Sequence, residues 1–282
     1  MSENEKWLKV MKPKSGLFDI DLPELVKKKD LILLFVRREF VAKYKQTILG
    51  PAWAVIQPLL TTVVFTLIFG NIAGLSSDQV PNFIFYLSGT VIWGFFSGCF
   101  TNTANTFVAN REILSKVYFP RLVMPISTVL AQLISFFIQY VFMMAFIIYY
   151  YFIKTSVQPN LYIAMTPVLL LQMGILGLGF GVIISALTTK YRDLAMLINF
   201  GIQLWQYASP VAYDISIIPD RMMNVYMLNP VTPIIVIFRY AYLGIGTIDW
   251  FYYGLSWVTT LVVLVIGIVL FSKVEKTFMD TI

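Results

Sequence analysis

The sequence predicts an all-α integral membrane protein with six transmembrane helices. Six long apolar segments each approach the roughly 20 residues that a helix needs to cross a bilayer. They lie at about 52–70, 83–108, 122–153, 161–187, 194–212 and 251–272. The composition agrees, because 58% of the residues are hydrophobic and only 13% are charged, whereas charged residues make up about a quarter of an ordinary soluble domain. The sequence lacks the ten-residue alternating strands of an outer-membrane barrel, so the spans are predicted to be helical.

The basic residues predict the orientation of these spans. All but three of the 21 Lys and Arg residues lie before the first segment, between the second and third, between the fourth and fifth, or after the sixth. The exceptions are Lys154, Arg221 and Arg239. Loops rich in Lys and Arg stay on the cytoplasmic side during insertion. We therefore expect a multi-pass protein with both termini in the cytoplasm.

The composition also argues against several functions. The chain has no histidine and a single cysteine, Cys99, inside the second segment, which removes the commonest general base and metal ligands. It has no Gly-x-x-x-x-Gly-Lys-Ser/Thr loop for nucleotide binding, and the centres of the six segments carry no charge that could relay protons or ions. We expect a transport subunit without a catalytic, cofactor or metal site, powered by a partner.

A membrane enzyme acting on polyprenyl phosphate is the rival from another class. Such an enzyme needs acidic residues at the membrane surface, and the outward candidates show no recognisable metal-ligand spacing. They are Asp78, Asp214, Asp220 and Asp249.

The first 50 residues are predicted to form a cytoplasmic lead followed by an amphipathic interface helix. From Leu22 to Gln46, apolar residues such as Leu25, Phe35 and Phe40 alternate with a basic face. A basic amphipathic helix lies in the membrane interface and favours anionic head groups. Two roles stay open: an anchor that sets topology, or a ledge that also meets an anionic lipid-linked substrate. Residues 51–282 would then form the six-span transmembrane domain.

Two connecting segments are unusual. The stretch from Asn110 to Arg121 is short, charged and bounded by Pro120; it is either a helical turn that docks into a groove of another protein or an ordinary loop. From Tyr213 to Ile248 the chain is moderately apolar but broken by prolines. Two short helices that re-enter the outer leaflet fit this pattern. The runner-up is a seventh span at 231–245, which Lys273 and Lys276 disfavour.

Polar residues follow one face of three segments. The third carries Thr128, Gln132, Ser135 and Gln139 at helical spacing, the fifth carries Asn199, Gln203 and Gln206, and the second carries Ser97, Thr101 and Asn105. An unpaired amide in lipid is costly, so these stripes must face protein or water. They serve interhelical hydrogen bonds or line a polar path. Nearby aromatic rings, which by default pack or lie at the interface, would also suit a sugar polymer.

Six short motifs together resemble the permease subunits of ABC-2 type polysaccharide exporters. They are Lys43-Tyr44-Lys45-Gln46-Thr47-Ile48-Leu49-Gly50 followed by Trp53 and Gln57-Pro58, Lys116-Val117-Tyr118-Phe119-Pro120-Arg121, Tyr191-Arg192-Asp193, Gln203-Leu204-Trp205, Ser209-Pro210-Val211-Ala212-Tyr213 and Leu228-Asn229-Pro230. They occur in the family's order from about residue 30 to the end of the chain. The first 30 residues are longer and more basic than is typical of the family.

The resemblance implies the membrane subunit of an ATP-driven exporter in the bacterial inner membrane. Its cargo would be a polyprenyl-diphosphate-linked polysaccharide, O-antigen in the first place; capsule or teichoic acid, or a drug or small lipid, are the alternatives. Two copies of the chain would pair with two copies of an ABC ATPase that binds ATP and Mg²⁺. Membrane lipids complete the expected partners, and no nucleic acid is expected.

The resemblance also implies roles for particular residues. The segment at about 110–121 would be the coupling helix that contacts the ATPase, and 213–248 would form periplasmic gate helices. The coupling residues would be Arg111, Glu112, Leu114, Lys116, Tyr118, Phe119 and Arg121. The lipid diphosphate would meet Arg37, Arg38, Lys43 and Lys45. Candidates for the channel lining are Trp93, Phe96, Ser97, Thr101, Asn105, Gln132, Gln139, Asn199, Gln203, Trp205, Tyr207 and Tyr213.

Overall fold

The computed structural model of the chain describes residues 27–45, 47–77, 79–117, 119–153, 156–188 and 194–278. Across these ranges the regular structure is entirely helical, which confirms the predicted all-α class. The α-helices are α1 (Lys29–Tyr44), α2 (Trp53–Phe65), α3 (Asn82–Ala109), α4 (Arg111–Lys116), α5 (Val123–Phe152), α6 (Thr166–Thr188), α7 (Leu194–Tyr207), α8 (Asp220–Met227), α9 (Val231–Leu243) and α10 (Trp250–Phe278). Short 3-10 turns precede α2, α6 and α8, and a π-helix, Thr66–Ile72, continues α2.

Within the described ranges, five helices are long and apolar enough to cross a membrane, or six candidates if the bent pair Asp220–Met227 and Val231–Leu243 counts as one span. The five single helices are Gly50–Ile72, Asn82–Ala109, Val123–Phe152, Leu161–Thr188 and Trp250–Phe271. Each matches a predicted span to within a few residues. We use "inner" for the end of the bundle at α1 and α4, and "outer" for the end at α8 and α9, following the predicted orientation.

The fifth predicted span, 194–212, is shorter than expected. Helix α7 ends at Tyr207, so its described length is roughly 21 Å at 1.5 Å per residue. The Ser209 hydroxyl donates to the Trp205 carbonyl at 2.9 Å, and Pro210 has no N–H with which to continue the helical ladder. These two residues end the helix and begin a turn at its outer end.

The segment after this turn forms the two short helices that the sequence predicted. Helices α8 and α9 meet at 102° across a break at residues 228–230, a geometry that fits either a re-entrant pair or a broken span. The alternative of a seventh span at 231–245 therefore stays a prediction. The end of α9 is capped by the outer segment before α6. The backbone N–H groups of Gln158 and Asn160 donate to the carbonyls of Leu243 and Ala241 at 3.2 and 3.0 Å.

Helix α3 is the centre of the bundle. Within its most apolar stretch 78% of the residues are buried in the chain, against 17% in the span containing α2. Close packing on α6 depends on glycine, because a Cβ added to Gly177 would lie 2.7 Å from the Cβ of Cys99. Helices α5 and α10 flank this pair, while α2 and α7 leave large faces uncovered. The exposed faces of α2 and α7 therefore need lipid or another protein against them.

Candidate functional site

A cavity of about 560 Å³ lies where α1, α2, α3, α5 and α7 meet. We call it the polar groove, since amides and hydroxyls make up most of its lining. These side chains are Tyr44, Thr47, Gln57, Thr61, Thr90, Ser97, Thr101, Asn102, Gln132, Gln139, Asn199, Gln203 and Gln206. The groove follows α3 from Thr90 to Asn102, roughly 18 Å of helix, which is more than half of a hydrocarbon core of about 30 Å.

Two glutamines of α5 lie against a glycine notch in α3. The amide of Gln132 rests on Gly98, where an added Cβ would overlap it, and the Gln139 Oε1 atom lies 3.6 Å from the corresponding position at Gly94. Asn102 Nδ2 donates to Gln132 Oε1 at 3.3 Å. Gln139 Oε1 is buried and has no hydrogen-bond partner among the described residues. The notch thus holds one amide that is hydrogen-bonded to α3 and one amide whose oxygen has no partner among the described residues.

The polar stripe of α5 has two roles. Thr128 pairs with Thr106 of α3 at 3.3 Å, and Ser135 pairs with the hydroxyl of Tyr44 of α1 at 3.2 Å. The other two members of the stripe line the groove. The structure therefore shows interhelical bonding for part of the stripe, while a transport path along the other part stays a prediction.

At the inner end of the groove, α1 contributes a basic residue. Of the four residues expected to meet a lipid diphosphate, only Lys43 lines the groove; its Nζ lies 5.5 Å from the centroid of the Tyr44 ring. Arg37 and Lys45 are exposed on α1.

Arg38, the fourth of these residues, links α1 to the segment before α4. Its guanidinium donates to Asn110 Oδ1 and lies 5.0 Å from the centroid of the Phe35 ring. Phe35 in turn packs on Phe119, with ring centroids 5.6 Å apart. Because its guanidinium has these contacts, Arg38 connects helices and is less available to a lipid than its neighbour Arg37.

The expected coupling segment is only partly described. Glu112 and Lys116 are exposed on α4, and Arg121 is half-buried at the turn before α5. Phe119 is buried against α1. Tyr118 and the side chains of Arg111 and Leu114 lie outside the described residues. The role of the segment in binding an ATPase stays a prediction.

The predicted channel-lining residues divide into two sets. Those that line the groove are Trp93, Ser97, Thr101, Gln132, Gln139, Asn199 and Gln203. The others lie elsewhere: Phe96, Asn105, Trp205, Tyr207 and Tyr213. Sequence periodicity places residues on a helix face, but it does not say which face the neighbouring helices cover.

The residues outside the groove have other contacts. The Trp205 ring lies 5.2 Å from the ring of Phe96, behind the groove wall. Asn105 donates to the Thr101 carbonyl of its own helix at 2.9 Å. At the outer end, the Tyr213 hydroxyl donates to the Tyr207 carbonyl at 3.0 Å.

The groove also has lining residues that the sequence analysis did not select as candidates. Trp53, Gln57 and Thr61 of α2 and Asn102 of α3 belong to it. Trp53 and Gln57 could have been selected, because they belong to the first of the six motifs. The polar pattern of the sequence did not indicate that α2 forms one side of the groove.

Two further polar residues, at the outer end, were not among the residues predicted from the sequence. Asn229 Oδ1 accepts from Trp205 Nε1 at 3.0 Å, and its Nδ2 donates to Ser209 Oγ at 2.9 Å. Arg239 is only 4% exposed, and its guanidinium donates to the Pro210 carbonyl at 2.5 Å. Arg239 could have been selected from the sequence, because it is the single charged residue within the apolar segment that forms α9.

A second cavity, of about 760 Å³, lies on the opposite side of α5. Its walls come from α5, α6 and α10 and are almost wholly apolar, for example Leu130, Leu171 and Ile175. In the part of the chain that the structure describes, no group of acidic, cysteine or histidine side chains could hold a metal ion.

Comparison with other proteins gives a consistent family. The family model described as "ABC-2 type transporter" matches residues 30–243. An "O-antigen export system permease protein RfbA" of Klebsiella pneumoniae is 26% identical over 253 residues, covering 89% of this chain and 94% of that protein. The protein of the same name in Myxococcus xanthus is 28% identical over 219 residues, 77% of this chain and 81% of its own length.

A relative with a broader name is more distant. The "Inner membrane transport permease YadH" of Escherichia coli (strain K12) is 24% identical over 225 residues, covering 77% of this chain and 83% of that protein. The three relatives are transport permeases by name.

Proposed function

The chain belongs to the ABC-2 type transporter family, and we propose that its cargo is a polysaccharide linked to polyprenyl diphosphate. As a member of that family it is a membrane-spanning permease of an ABC transporter, a multi-span protein of the bacterial inner membrane that works with an ATPase partner. The names of the relatives in Klebsiella pneumoniae and Myxococcus xanthus favour O-antigen as the polysaccharide. Export from the cytoplasm is the direction that these names imply.

The polar groove is the observation that carries this proposal. A glycan presents many hydroxyl groups and flat apolar ring faces. The groove offers amides and hydroxyls for the former and the indoles of Trp53 and Trp93 for the latter. Gln139 Oε1 is buried without a partner among the described residues, and widening of the groove would expose it to a sugar hydroxyl, which can donate to it.

A homodimer would complete this path. Gln57, Asn199 and Gln203 line the groove but are exposed in the single chain. Amide groups that face hydrocarbon without partners cost several kcal/mol each. A second copy placed against α2 and α7 would cover these amides and turn two open grooves into one polar path.

In the proposed mechanism, ATP and Mg²⁺ bind to two copies of a separate ABC ATPase, whose closure moves α4. The contacts of Phe119 with Phe35 and of Asn110 with Arg38 would pass this movement to α1. Lys43, with the exposed Arg37 and Lys45 nearby, would attract the lipid diphosphate on the cytoplasmic side, where both termini would also lie.

The first experiment is the glycan profile of a deletion strain. Loss of the surface polymer, with polyprenyl-linked polymer trapped in the cytoplasm, is the expected result and would identify the polysaccharide, whether O-antigen, capsule or teichoic acid. A normal surface coat without intracellular accumulation would overturn the proposal.

Lys43→Gln tests the inner end of the groove. Export should fall, because the positive charge next to the groove is lost, while the protein level stays the same. Lys29→Gln is the matched control, since it removes an exposed charge at the other end of α1. Equal export by the two variants would remove the proposed role of Lys43.

The second, apolar cavity supports one other candidate cargo, a drug or small lipid. Apolar walls would hold a hydrophobic molecule, and the Escherichia coli relative is named only as a transport permease. Efflux and survival assays on the deletion strain separate the two: drug sensitivity with an intact glycan coat would favour the small cargo.

A further inference from the structure

Three of the six sequence motifs meet at the outer end of α7, where Asn229 of one contacts Trp205 and Ser209 of the other two. Asn229 lies between them: its Oδ1 accepts from Trp205 Nε1 at 3.0 Å and from the backbone N–H of Val231 at 3.2 Å. Its Nδ2 donates to Ser209 Oγ at 2.9 Å. One amide side chain therefore ties the last turn of α7, the turn after it and the start of α9.

Arg239 of α9 holds the same turn from inside the bundle. Its Nη1 donates to the Pro210 carbonyl at 2.5 Å, and its Nη2 donates to Val211 at 3.0 Å and to Phe85 of α3 at 3.3 Å. The guanidinium also lies 3.7 Å from the centroid of the Phe85 ring. A Cβ added to Gly89 would lie 2.6 Å from Nη2, so glycine makes room for the charge.

Helix α9, which carries Arg239, belongs to the fixed core. All but one of its residues are buried, and it packs against α3, α6 and α10. The turn after α7 is therefore attached to a densely packed and hence rigid part of the molecule. We call the four residues that make this attachment, Trp205, Ser209, Asn229 and Arg239, the outer clasp.

The inner part of α7 is attached differently. Met196 is 82% exposed and Phe200 is 60% exposed, while Ile198 and Ile202 pack in the hydrophobic core, so this part is held by apolar contacts. Among the described residues, the side-chain hydrogen bond that joins α7 itself to the rest of the chain lies at the clasp, and the turn after it is held by the clasp and by a bond from the Tyr226 hydroxyl to that of Tyr213 at 2.9 Å. The groove-lining Asn199 is on this part of α7, where apolar contacts can slide without breaking a hydrogen bond.

We infer that α7 pivots about the outer clasp, so that the polar groove widens from its inner end. Arg239 and Asn229 are the positioning residues of this pivot, which holds one end of a groove wall still while the other end swings away from α3. The proposal rests on the proposed function only in taking the groove as the transport path.

Cysteine crosslinking tests the pivot, because the only native cysteine, Cys99, is buried. The outer pair is Ser209→Cys with Asn229→Cys, closed by oxidation across the clasp. The inner pair is Asn102→Cys with Asn199→Cys, joined by a flexible bis-maleimide across the groove. In membranes that also contain the ATPase, the rate of closing the inner pair should change when an ATP analogue is added, while that of the outer pair should not. The pivot would be overturned if the ATP analogue changed the crosslinking rate of the outer pair, or if it left the crosslinking rate of the inner pair unchanged.

Export by the same variants gives the second readout. Export should be low in the reduced outer pair, because the clasp is broken, and should recover on oxidation; bridging the inner pair should abolish it. Arrest of export by the oxidised outer pair would show that α7 must leave the clasp, contrary to the proposal. If the parent protein exports no glycan but the two closing rates behave as expected, the proposed cargo fails and the pivot stands.

Discussion

Arg38 lies at the inner end of the bundle and Arg239 at its outer end, and each links segments that are distant in sequence. Arg38 is 36% exposed, and its guanidinium bonds to the side chain of Asn110. Arg239 is 4% exposed, and its guanidinium bonds to backbone carbonyls of the turn after α7 and of Phe85.

The difference teaches which end of the molecule can rearrange. A half-exposed guanidinium can exchange a side-chain partner for water at little cost, whereas a buried one would lose all its partners at once. Backbone carbonyls also cannot rotate away as a side chain can. The inner link is therefore adjustable and the outer link is rigid, which suits the proposed mechanism, in which movement would enter at α4 and α7 would pivot about the outer clasp.

The largest expected effect tests the rigidity of the outer end. Arg239→Met should lower the free energy of unfolding by about 3 kcal/mol or more, because several buried carbonyls lose their donors. Arg239→Lys should be intermediate, since an ammonium group cannot reach the same set of carbonyls. Thermal unfolding of the protein in detergent measures both.

The matched control is Arg221→Met, which removes an exposed charge from α8 on the same side of the bundle. It should leave the unfolding midpoint close to that of the parent. If the two methionine variants unfold at the same temperature, the contrast between a rigid and an adjustable end is lost.

A smaller effect is expected between the two ends, at the glycine notch. Gly98→Ala places a Cβ where the Gln132 amide lies, and overpacking of this kind costs about 1–3 kcal/mol. Export should fall further than stability alone explains, because Gln132 is pushed into the groove. Gly201→Ala is the control, since its Cβ meets nothing within 4 Å. If export falls equally in both variants, the close contact between Gly98 and Gln132 is not the cause.

The sequence predicted the long spans well because length and hydropathy belong to each segment alone. Asn82–Ala109 was expected at 83–108 and Val123–Phe152 at 122–153. It predicted α7 too long, since the end of this helix depends on a hydroxyl contact of Ser209 within the turn as well as on Pro210. The bend between α8 and α9 was foreseen because prolines mark it in the sequence itself.

The candidate site was predicted in part, for a related reason. Polar periodicity selected Gln132 and Gln139, whose face the neighbouring helices leave open to the groove. It could not separate Arg37 from Arg38, because adjacent basic residues look alike until Asn110, 72 positions away, is placed beside one of them. Arg239 escaped for the same reason: its partners are backbone carbonyls, which every residue has.

That pair of adjacent arginines gives a test of the inner link. Arg38→Gln should cost about 1 kcal/mol of stability and should reduce export while the partner's ATPase activity continues, because α1 no longer follows α4. Arg37→Gln removes the same charge from an exposed position and should keep export coupled to ATP hydrolysis.

Asn110→Ala completes this experiment as a double-mutant cycle. If Arg38 and Asn110 act together, the variant that combines Arg38→Gln with Asn110→Ala should be little worse than either single variant. Additive losses would mean that the two residues do not form a link, and the inner end would then have no counterpart to the outer clasp.

The smallest change in the free energy of unfolding is expected at Gln139. Unlike the substitutions above, a substitution here is not expected to destabilise the protein. Its Oε1 is a buried acceptor without a partner among the described residues, so Gln139→Leu should leave the unfolding free energy unchanged or raise it by up to about 1 kcal/mol. Export should nevertheless fall, because the cargo loses an acceptor. Asn105→Leu is the control, since Asn105 bonds within its own helix and does not line the groove. A stable Gln139→Leu variant with full export would mean that the cargo does not use this acceptor, and the groove would then owe its selectivity to the residues nearer its two ends.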